Sequence, residues 1–375
     1  MHGVGQRLLH FTAANAGTGD WGAVRGVYKK GMTLALLASG TAAVMMFAGA
    51  PLLALAVFSK PELTAPMRWM ALAVVPMAFL TLNGEALKGL KRIRDSQLVQ
   101  GVGVPALSLI GLSLLGQVWG VNGAIWAYTC AAALTAFIGF MMWRMATPQL
   151  RNSIGHFETR QLLRSSVPLF WVASMNLLMG CTASFVLGIW GTNAEVGILG
   201  VAHRTAMVTG YILIAVNSIA APKFASLYKQ GDMEALGFVA RNSAKLMTLA
   251  ASPILLLFVL FPGWVMTLFG LQFVEGAAVL IILALGQFVN VATGSVGYLL
   301  MMSGHERLMR NNIISVSILN VVLCLLLIPW AGTIGAAIAT AISLATMNLV
   351  SVVLAYGRLS ILTLPIPKGI FARRA

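Results

Sequence analysis

Residues 254–260 read ILLLFVL, and residues 322–328 read VLCLLLI. Neither run alternates apolar with polar side chains, as a strand with one polar face would. Both lie inside apolar blocks of about 18 to 28 residues, and about 20 helical residues at 1.5 Å each cross a hydrocarbon layer of about 30 Å. The sequence therefore predicts membrane-spanning α-helices.

Similar apolar blocks recur along the chain. Of its 375 residues, 59% are hydrophobic and only 9% are charged, whereas soluble domains average about 25% charged residues. A surface in water would need more charged side chains than this. We expect an all-α polytopic membrane protein with about ten transmembrane helices. The predicted spans are 31–58, 65–87, 98–119, 121–143, 166–190, 196–221, 246–268, 274–301, 312–329 and 331–355.

The net charge of +15 follows from where the basic residues fall between these spans. All but Lys60, Arg68 and Arg204 of the 25 Lys and Arg residues lie in segments predicted on one side of the membrane. By the positive-inside rule this side and both termini are cytoplasmic. We expect a multi-pass membrane protein in contact with membrane lipids and without a nucleic-acid partner.

Side chains for catalysis or metal binding are scarce. The cysteines 130, 181 and 324 lie in apolar blocks without CxxC or Cys/His spacing. Met309 breaks an HExxH motif, and no Gly-Lys pair forms a P-loop. Among the acidic residues only Glu85 lies within a predicted helix, about one turn from its cytoplasmic end. We predict no enzyme activity, no catalytic residue, no metal site and no cofactor.

The chain repeats itself at an offset of about 212 residues, with Gly19-Asp20 matching Gly231-Asp232 and Gly120 matching Gly332. Both copies begin on the cytoplasmic side, which predicts two parallel lobes facing each other. The predicted domains are an N-terminal lobe of four helices (1–144), a cytoplasmic linker with an interfacial helix (145–165) and a C-terminal lobe of six helices (166–375).

The first copy is one hairpin, its first two helices, shorter than the second. Residues 1–30 are then expected to be a former cytoplasmic loop. This pattern predicts a truncated chain or a misplaced start codon, and a protein that is inactive as written is one consequence.

Arg204 is the first candidate for substrate binding. It lies about nine residues past the loop at Glu195, on the order of 13 Å into the membrane. A guanidinium there costs at least ~2.5 kcal/mol, so it is expected to face a wet cavity or an anion. The alternative is an Arg that snorkels outward or binds backbone carbonyls. Tyr211, seven residues further on, shares its helical face and either contacts a sugar or packs.

Three amide side chains complete the candidate cavity. Gln287 and Asn290 lie at helical spacing, and Asn176 lies in the fifth predicted span. Amide groups between membrane helices more often serve as interhelical hydrogen-bonding partners, and each residue considered alone fits that role better than the cavity.

The segment GILGVAHRTAMVTGYILIAVNSIAAPKFASLYKQGD (197–232) resembles the corresponding helix and loop of bacterial oligosaccharide flippases. These are the Wzx-like polysaccharide transporters of the MOP superfamily, related to the MATE exporters. Similar sequence character occurs in GTGDWGAVRGVYKKGM (17–32), WGVNGAIWA (119–127) and LIPWAGTIGAAIATAIS (327–343).

The resemblance implies two lobes of about six helices each. It implies that an isoprenoid pyrophosphate-linked oligosaccharide moves from the cytoplasmic to the outer leaflet by alternating access, for surface polysaccharide such as lipopolysaccharide. Arg204 matches an Arg of the family pattern, which implies contact with a sugar acid or pyrophosphate. The implied partners are the lipid-linked oligosaccharide and other membrane proteins of polysaccharide assembly.

Several alternatives remain. A MATE-type multidrug or cation antiporter should present a carboxylate within the membrane, whereas a carrier of anions, including a lipid II flippase, should present Arg or Lys. A membrane glycosyltransferase or polymer ligase would need larger outer loops with acids or histidines. A nonfunctional fragment or passive membrane partner is the remaining alternative. The balance of charges favours the carrier of anions.

Overall fold

The computed structural model describes residues 2–151 and 159–364, in which every regular element is helical. This confirms the predicted all-α class. The chain divides into two compact units, Met1–Ala173 and Ser174–Ala375. The predicted domain limits 1–144, 145–165 and 166–375 stay a prediction, and residues 152–158 of the predicted linker lie outside the described residues.

In the first unit the core forms where α1, α2, α4 and α6 pack together, and it buries the side chains of Leu8, Val24, Leu82, Leu87 and Trp143. Its α-helices are α1 (His2–Gly17), α2 (Trp21–Leu52), α3 (Thr64–Ala71), α4 (Val74–Gly89), α5 (Ile93–Gln97) and α6 (Val104–Ala146). Shorter π- and 3₁₀-helical segments cover Leu53–Val57, Pro61–Leu63, Leu98–Gly103 and Pro148–Arg151. The helix α7 (Thr159–Trp190) crosses the boundary between the units.

In the second unit α12 lies at the centre and packs against α8, α9, α10 and α14. The largest apolar cluster contains the buried residues Leu187, Leu199, Met266, Leu280 and Ala336. The remaining helices are α8 (Asn193–Ala206), α9 (Val208–Gln230), α10 (Met233–Leu260), α11 (Pro262–Thr267), the 3₁₀ segment Leu271–Gly276, α12 (Ala277–Ala292), α13 (Val296–Met302) and α14 (Glu306–Leu359).

Within the described residues, eight helical segments are long and apolar enough to cross a membrane. The 54-residue helix α14 contains two of the ten predicted spans, and the apolar helix Leu177–Trp190 lies within the fifth. Large apolar side chains point outward, and Trp330 is 92% exposed and Leu271 is 82% exposed. Lipid can cover such a surface, and the protein is therefore a multi-pass membrane protein.

Each of the two longest helices bends sharply at a glycine. Gly120 in α6 has φ 53° and ψ −127°, and Gly332 in α14 has φ 51° and ψ −126°. Only glycine enters this region of backbone conformation without strain. Three residues after each bend, a Cβ at Gly123 would collide with the Leu115 carbonyl oxygen, and one at Gly335 would collide with that of Leu327. The bends explain why the predicted spans end near 120 and 330.

The turns that precede α2 and α10 are also equivalent. Gly19 and Gly231 have left-handed φ values of 79° and 75°. The Asp20 carboxylate accepts a hydrogen bond from the Ala23 backbone N–H, and Asp232 accepts one from Ala235, both at 2.9 Å. These are N-caps of α2 and α10. The predicted internal repeat is thus present in the local geometry of both units.

The expectation that residues 1–30 form a loop is wrong for most of that segment. Residues His2–Gly17 form α1, and α2 already begins at Trp21. Leu8 and Thr12 are fully buried, and α1 approaches α4 so closely that a Cβ at Gly89 would lie 2.9 Å from the Leu9 carbonyl oxygen. Polar residues interrupt the apolar run of α1, so hydropathy does not identify a helix that is stabilised by tertiary packing.

Candidate substrate site

The candidate Arg204 lies in the last turn of α8, just before a short break at Met207 that separates α8 from α9. The helix starts with a capping box in which Thr192 and Glu195 hydrogen-bond each other's backbone N–H groups. A cation near the C-terminal end of a helix is favoured by the helix dipole, so the backbone partly offsets the cost of placing Arg204 within an apolar span.

Arg204 is exposed on a face of α8 that the second unit leaves uncovered. The buried face of this helix is formed by Ile198, Leu199, Ala202, Thr205 and Ala206. Gly197 and Gly200 share the Arg204 face, and a Cβ at either glycine would meet nothing within 4 Å. Within the described part of the chain, Arg204 has no hydrogen-bond or ion-pair partner.

Tyr211 lies in the first turn of α9 and is 63% exposed. The side chains of Tyr211 and Arg204 are both exposed, and the expectation that they share a helical face stays a prediction. The break at Met207 and about two turns of helix separate Tyr211 from Arg204. Two consecutive helices therefore present an exposed cation and an exposed aromatic ring on either side of the break.

Gln287 and Asn290 are half-buried on α12 and are joined directly. The Asn290 amide donates to Gln287 Oε1 at 3.2 Å. The same Gln287 oxygen lies beside α9, where a Cβ at Gly210 would be 3.7 Å from it. Gly210 is adjacent to Tyr211, so the structure brings the amide pair close to the part of α9 that carries the candidate ring. The side chain of Asn176 lies outside the described residues.

The carboxylate of Glu85 is already paired within the first unit. Its Oε1 accepts hydrogen bonds from Lys88 Nζ at 2.8 Å and from Gln100 Nε2 at 3.1 Å. Its side chain is 17% exposed. Among the described residues no three His, Cys, Asp or Glu side chains converge as metal ligands.

A cavity of about 440 Å³ opens in the first unit between the start of α2 and the end of α6. We name it the basic cavity. It is lined by Arg25, Tyr28, Lys29, Met32, Thr33, Phe79, Phe140, Trp143, Arg144, Thr147 and Leu150. Its cations Arg25, Lys29 and Arg144 are exposed, whereas Trp143 is 2% exposed. The described lining residues thus form an apolar floor with positive charges around it and include no acidic residue.

The sequence analysis assigned these cations to membrane topology and missed the cavity. Arg25, Tyr28 and Lys29 lie on one face of α2, and that spacing is the one signal that could have identified them. Arg144 is more than a hundred positions away. Only the packing of α6 beside α2 brings it to the same cavity.

Solved membrane transporters share this fold. A multidrug resistance MATE family transporter of the MOP superfamily, in an inward-facing conformation, is similar over 96% of this chain and 86% of its own, with a TM-score of 0.80 and 17% identity. A MOP superfamily transporter from Pyrococcus furiosus is similar over 96% and 84%, with a TM-score of 0.65 and 17% identity. The chain therefore has a MATE-like fold.

Within this class, the chain belongs to the polysaccharide biosynthesis protein family, whose model matches residues 25–278. The probable low-salt glycan biosynthesis flippase Agl15 of Haloferax volcanii is 25% identical over 286 residues. That match covers 74% of this chain and spans 58% of the length of the relative. The family resemblance predicted from residues 197–232 and the related motifs is confirmed.

Proposed function

We propose that this protein is a membrane carrier, not an enzyme, and that it moves a lipid-linked oligosaccharide from the cytoplasmic to the outer leaflet by alternating access. Both described termini of the helical body are proposed to be cytoplasmic, in the inner membrane of a bacterium. The isoprenoid tail stays in the lipid while the polar head group crosses. The family membership and the name of the Haloferax volcanii relative support this class of substrate.

The observation that carries the proposal is the unpartnered guanidinium of Arg204 inside an apolar span. An unpaired cation within an apolar span is stabilised when an anion pairs with it, and a pyrophosphate or sugar acid supplies that anion. We place Tyr211 as a stacking surface for a sugar ring, and Gln287, Asn290 and Asn176 as amides that hydrogen-bond its hydroxyl groups.

A cation antiporter is the second candidate function, and the surroundings of Glu85 are the observation that tests it. An antiporter needs a carboxylate that can release a proton or ion when the drug binds. Glu85 is engaged by Lys88 and Gln100, which supports a structural role instead. A lipid II flippase has the same anionic head-group chemistry and is separated from the first proposal only by which glycan the protein carries.

Complementation tests the proposal directly. The protein is expressed from its full native reading frame in bacteria that lack their own oligosaccharide flippase, and surface polysaccharide is measured. Arg204→Ala is expected to lower rescue by about tenfold or more, because a charge-assisted bond to the head group contributes about 1.5–3 kcal/mol. Arg204→Lys keeps the charge and is expected to retain part of the activity.

The matched control is Arg358→Ala, which removes an exposed Arg at the end of α14. It is expected to rescue as the parent does. A well-expressed parent protein that rescues no polysaccharide, across several repeat-unit types, contradicts the proposed substrate. Equal rescue by Arg204→Ala and the parent assigns Arg204 to packing or snorkelling.

A further inference from the structure

We propose that the basic cavity of the first unit binds the phosphate or pyrophosphate group of an anionic membrane lipid. For an isoprenoid lipid this role rests on the proposed function, since the cavity would then receive the carried substrate. For a phospholipid it is independent of transport. Both sources share one chemistry, a phosphate anion at the membrane surface.

The charges of the cavity suit such an anion. Arg25 is oriented by a hydrogen bond from its Nη1 to the Leu150 carbonyl oxygen at 3.0 Å. The Arg144 guanidinium lies 5.8 Å from the centre of the Phe140 ring, which holds it near the rim. Lys29 is one helical turn from Arg25 on the same face of α2. Arg25 is already engaged by the Leu150 carbonyl oxygen, and the described lining residues include no carboxylate, so Lys29 and Arg144 supply the charge that pairs with a phosphate dianion.

The floor of the cavity is rigid and aromatic. Tyr28 and Trp143 stack with their ring centres 4.4 Å apart and their planes within 14°. The Tyr28 hydroxyl donates to Asn83 Oδ1 at 2.7 Å, which fixes the ring against α4. A site that is already ordered loses less entropy when a ligand binds. Its volume falls within the range of about 300–1,000 Å³ that is typical of small-molecule sites.

The internal repeat provides a comparison within the same chain. At an offset of 212 residues, Tyr28 and Trp143 correspond to Ala240 and Ala355. In the second unit these alanines belong to a packed apolar cluster with Val352, Leu359 and Ile361, all of them buried. The second unit therefore fills this position with apolar side chains, whereas the first leaves it open and surrounds it with cations.

Membrane topology explains basic residues at the end of a helix, but it does not explain this arrangement. The positive-inside rule requires only that Lys and Arg lie in the cytoplasmic segments. It requires neither a cavity between α2 and α6 nor a stacked aromatic pair beneath the charges. A binding role accounts for the cations, the cavity and the floor together.

The test measures binding to the purified full chain. The probes are inorganic pyrophosphate, a short-chain isoprenyl pyrophosphate, and nanodiscs of phosphatidylglycerol compared with phosphatidylcholine. Lys29→Gln/Arg144→Gln removes two cations of the cavity and spares Arg25, which holds the Leu150 backbone. We expect this variant to bind pyrophosphate about tenfold or more weakly, since each charge-assisted bond contributes about 1.5–3 kcal/mol.

The matched control is Arg241→Gln/Lys245→Gln. Arg241 is the repeat equivalent of Lys29, and Lys245 is exposed one turn further along α10. This control removes the same charge from the second unit and is expected to bind within about twofold of the parent. A second variant, Thr33→Trp, keeps every cation but places a large ring at an exposed lining position, and it is expected to weaken binding by filling the cavity.

The outcomes distinguish the two lipid sources of the phosphate group. Weakened binding of the isoprenyl pyrophosphate alone identifies the carried lipid, and weakened binding to phosphatidylglycerol nanodiscs identifies a phospholipid; both support the site. The proposal is overturned if no probe binds, if Lys29→Gln/Arg144→Gln binds as the parent does, or if the control loses as much affinity. Since no transport is measured, failure here leaves the complementation result intact, and failed complementation leaves this result intact.

Discussion

Arg204 and Glu85 are opposite charges in membrane-spanning segments, and the structure surrounds them differently. Glu85 is satisfied by Lys88 and Gln100, while Arg204 stands exposed and without an ion-pair partner in the described chain. An ionised group that is already paired needs no ligand, whereas an unpaired one in an apolar span gains most from binding one. This difference supports the proposed anionic substrate over a cationic one.

Glu85→Gln tests the hypothesis that this carboxylate has a structural role. The amide keeps the shape of the side chain and its contact with Gln100, so transport is expected to remain within about twofold of the parent, with at most a small loss of stability from the partly exposed Lys88 pair. Transport assays in the complemented strain provide the measurement. Complete loss of transport in a folded Glu85→Gln protein would favour the cation antiporter.

The bends at Gly120 and Gly332 turn two long helices into hairpins. Each combines a glycine of positive φ with a second glycine that lets the returning arm pass close to a carbonyl oxygen. A side chain at either place costs backbone strain or a steric clash. The arms of α14 are also joined by the Asn320 amide, which donates to Ser343 Oγ at 3.1 Å. The Asn312 amide, also buried, donates to the Met347 carbonyl oxygen and to Ser351 Oγ, so small residues and two buried amides hold these adjacent membrane helices together.

Gly123→Ala is therefore expected to destabilise the first unit. The added methyl group collides with the Leu115 carbonyl oxygen, and overpacking of this kind costs about 1–3 kcal/mol. Gly40→Ala is the control, because a Cβ there meets nothing within 4 Å inside α2 and alanine favours a helix. Thermal unfolding of both variants in detergent gives the comparison. Equal midpoints for Gly123→Ala and Gly40→Ala would mean that the hairpin opens to accept the methyl group.

The distribution of basic residues predicts one orientation for the entire protein. Single introduced cysteines in a Cys130→Ser/Cys181→Ser background report this orientation, because Cys324, the native cysteine that remains, is buried. Gln272→Cys lies in a predicted outer loop and is expected to react with a membrane-impermeant maleimide in intact cells. Arg94→Cys is expected to react only after the membrane is permeabilised. Labelling in the opposite pattern would invert the topology and place the basic cavity on the outer side.

Most of the helical architecture could be predicted without coordinates. Hydropathy located the spans, because the length of an apolar segment relative to the membrane thickness is a local property. The sequence identified Gly120 and Gly332 only as repeat equivalents, and the structure showed that both are bends. The matching pairs Gly19-Asp20 and Gly231-Asp232 indicated the repeat, and the structure showed that both aspartates are N-caps. The helix α1 was missed because it is held by packing against α4, which hydropathy does not report.

The surroundings of the charged residues depended on the tertiary fold. Sequence singled out Arg204 by its depth, but only the packed second unit left its face uncovered and joined Gln287 to Asn290 beside Gly210. The basic cavity depended on the tertiary fold even more strongly, because Lys29 and Arg144 belong to helices far apart in the chain. Spans, bends and caps arise from interactions within a few residues, whereas a cavity exists only where distant helices meet and leave space between them.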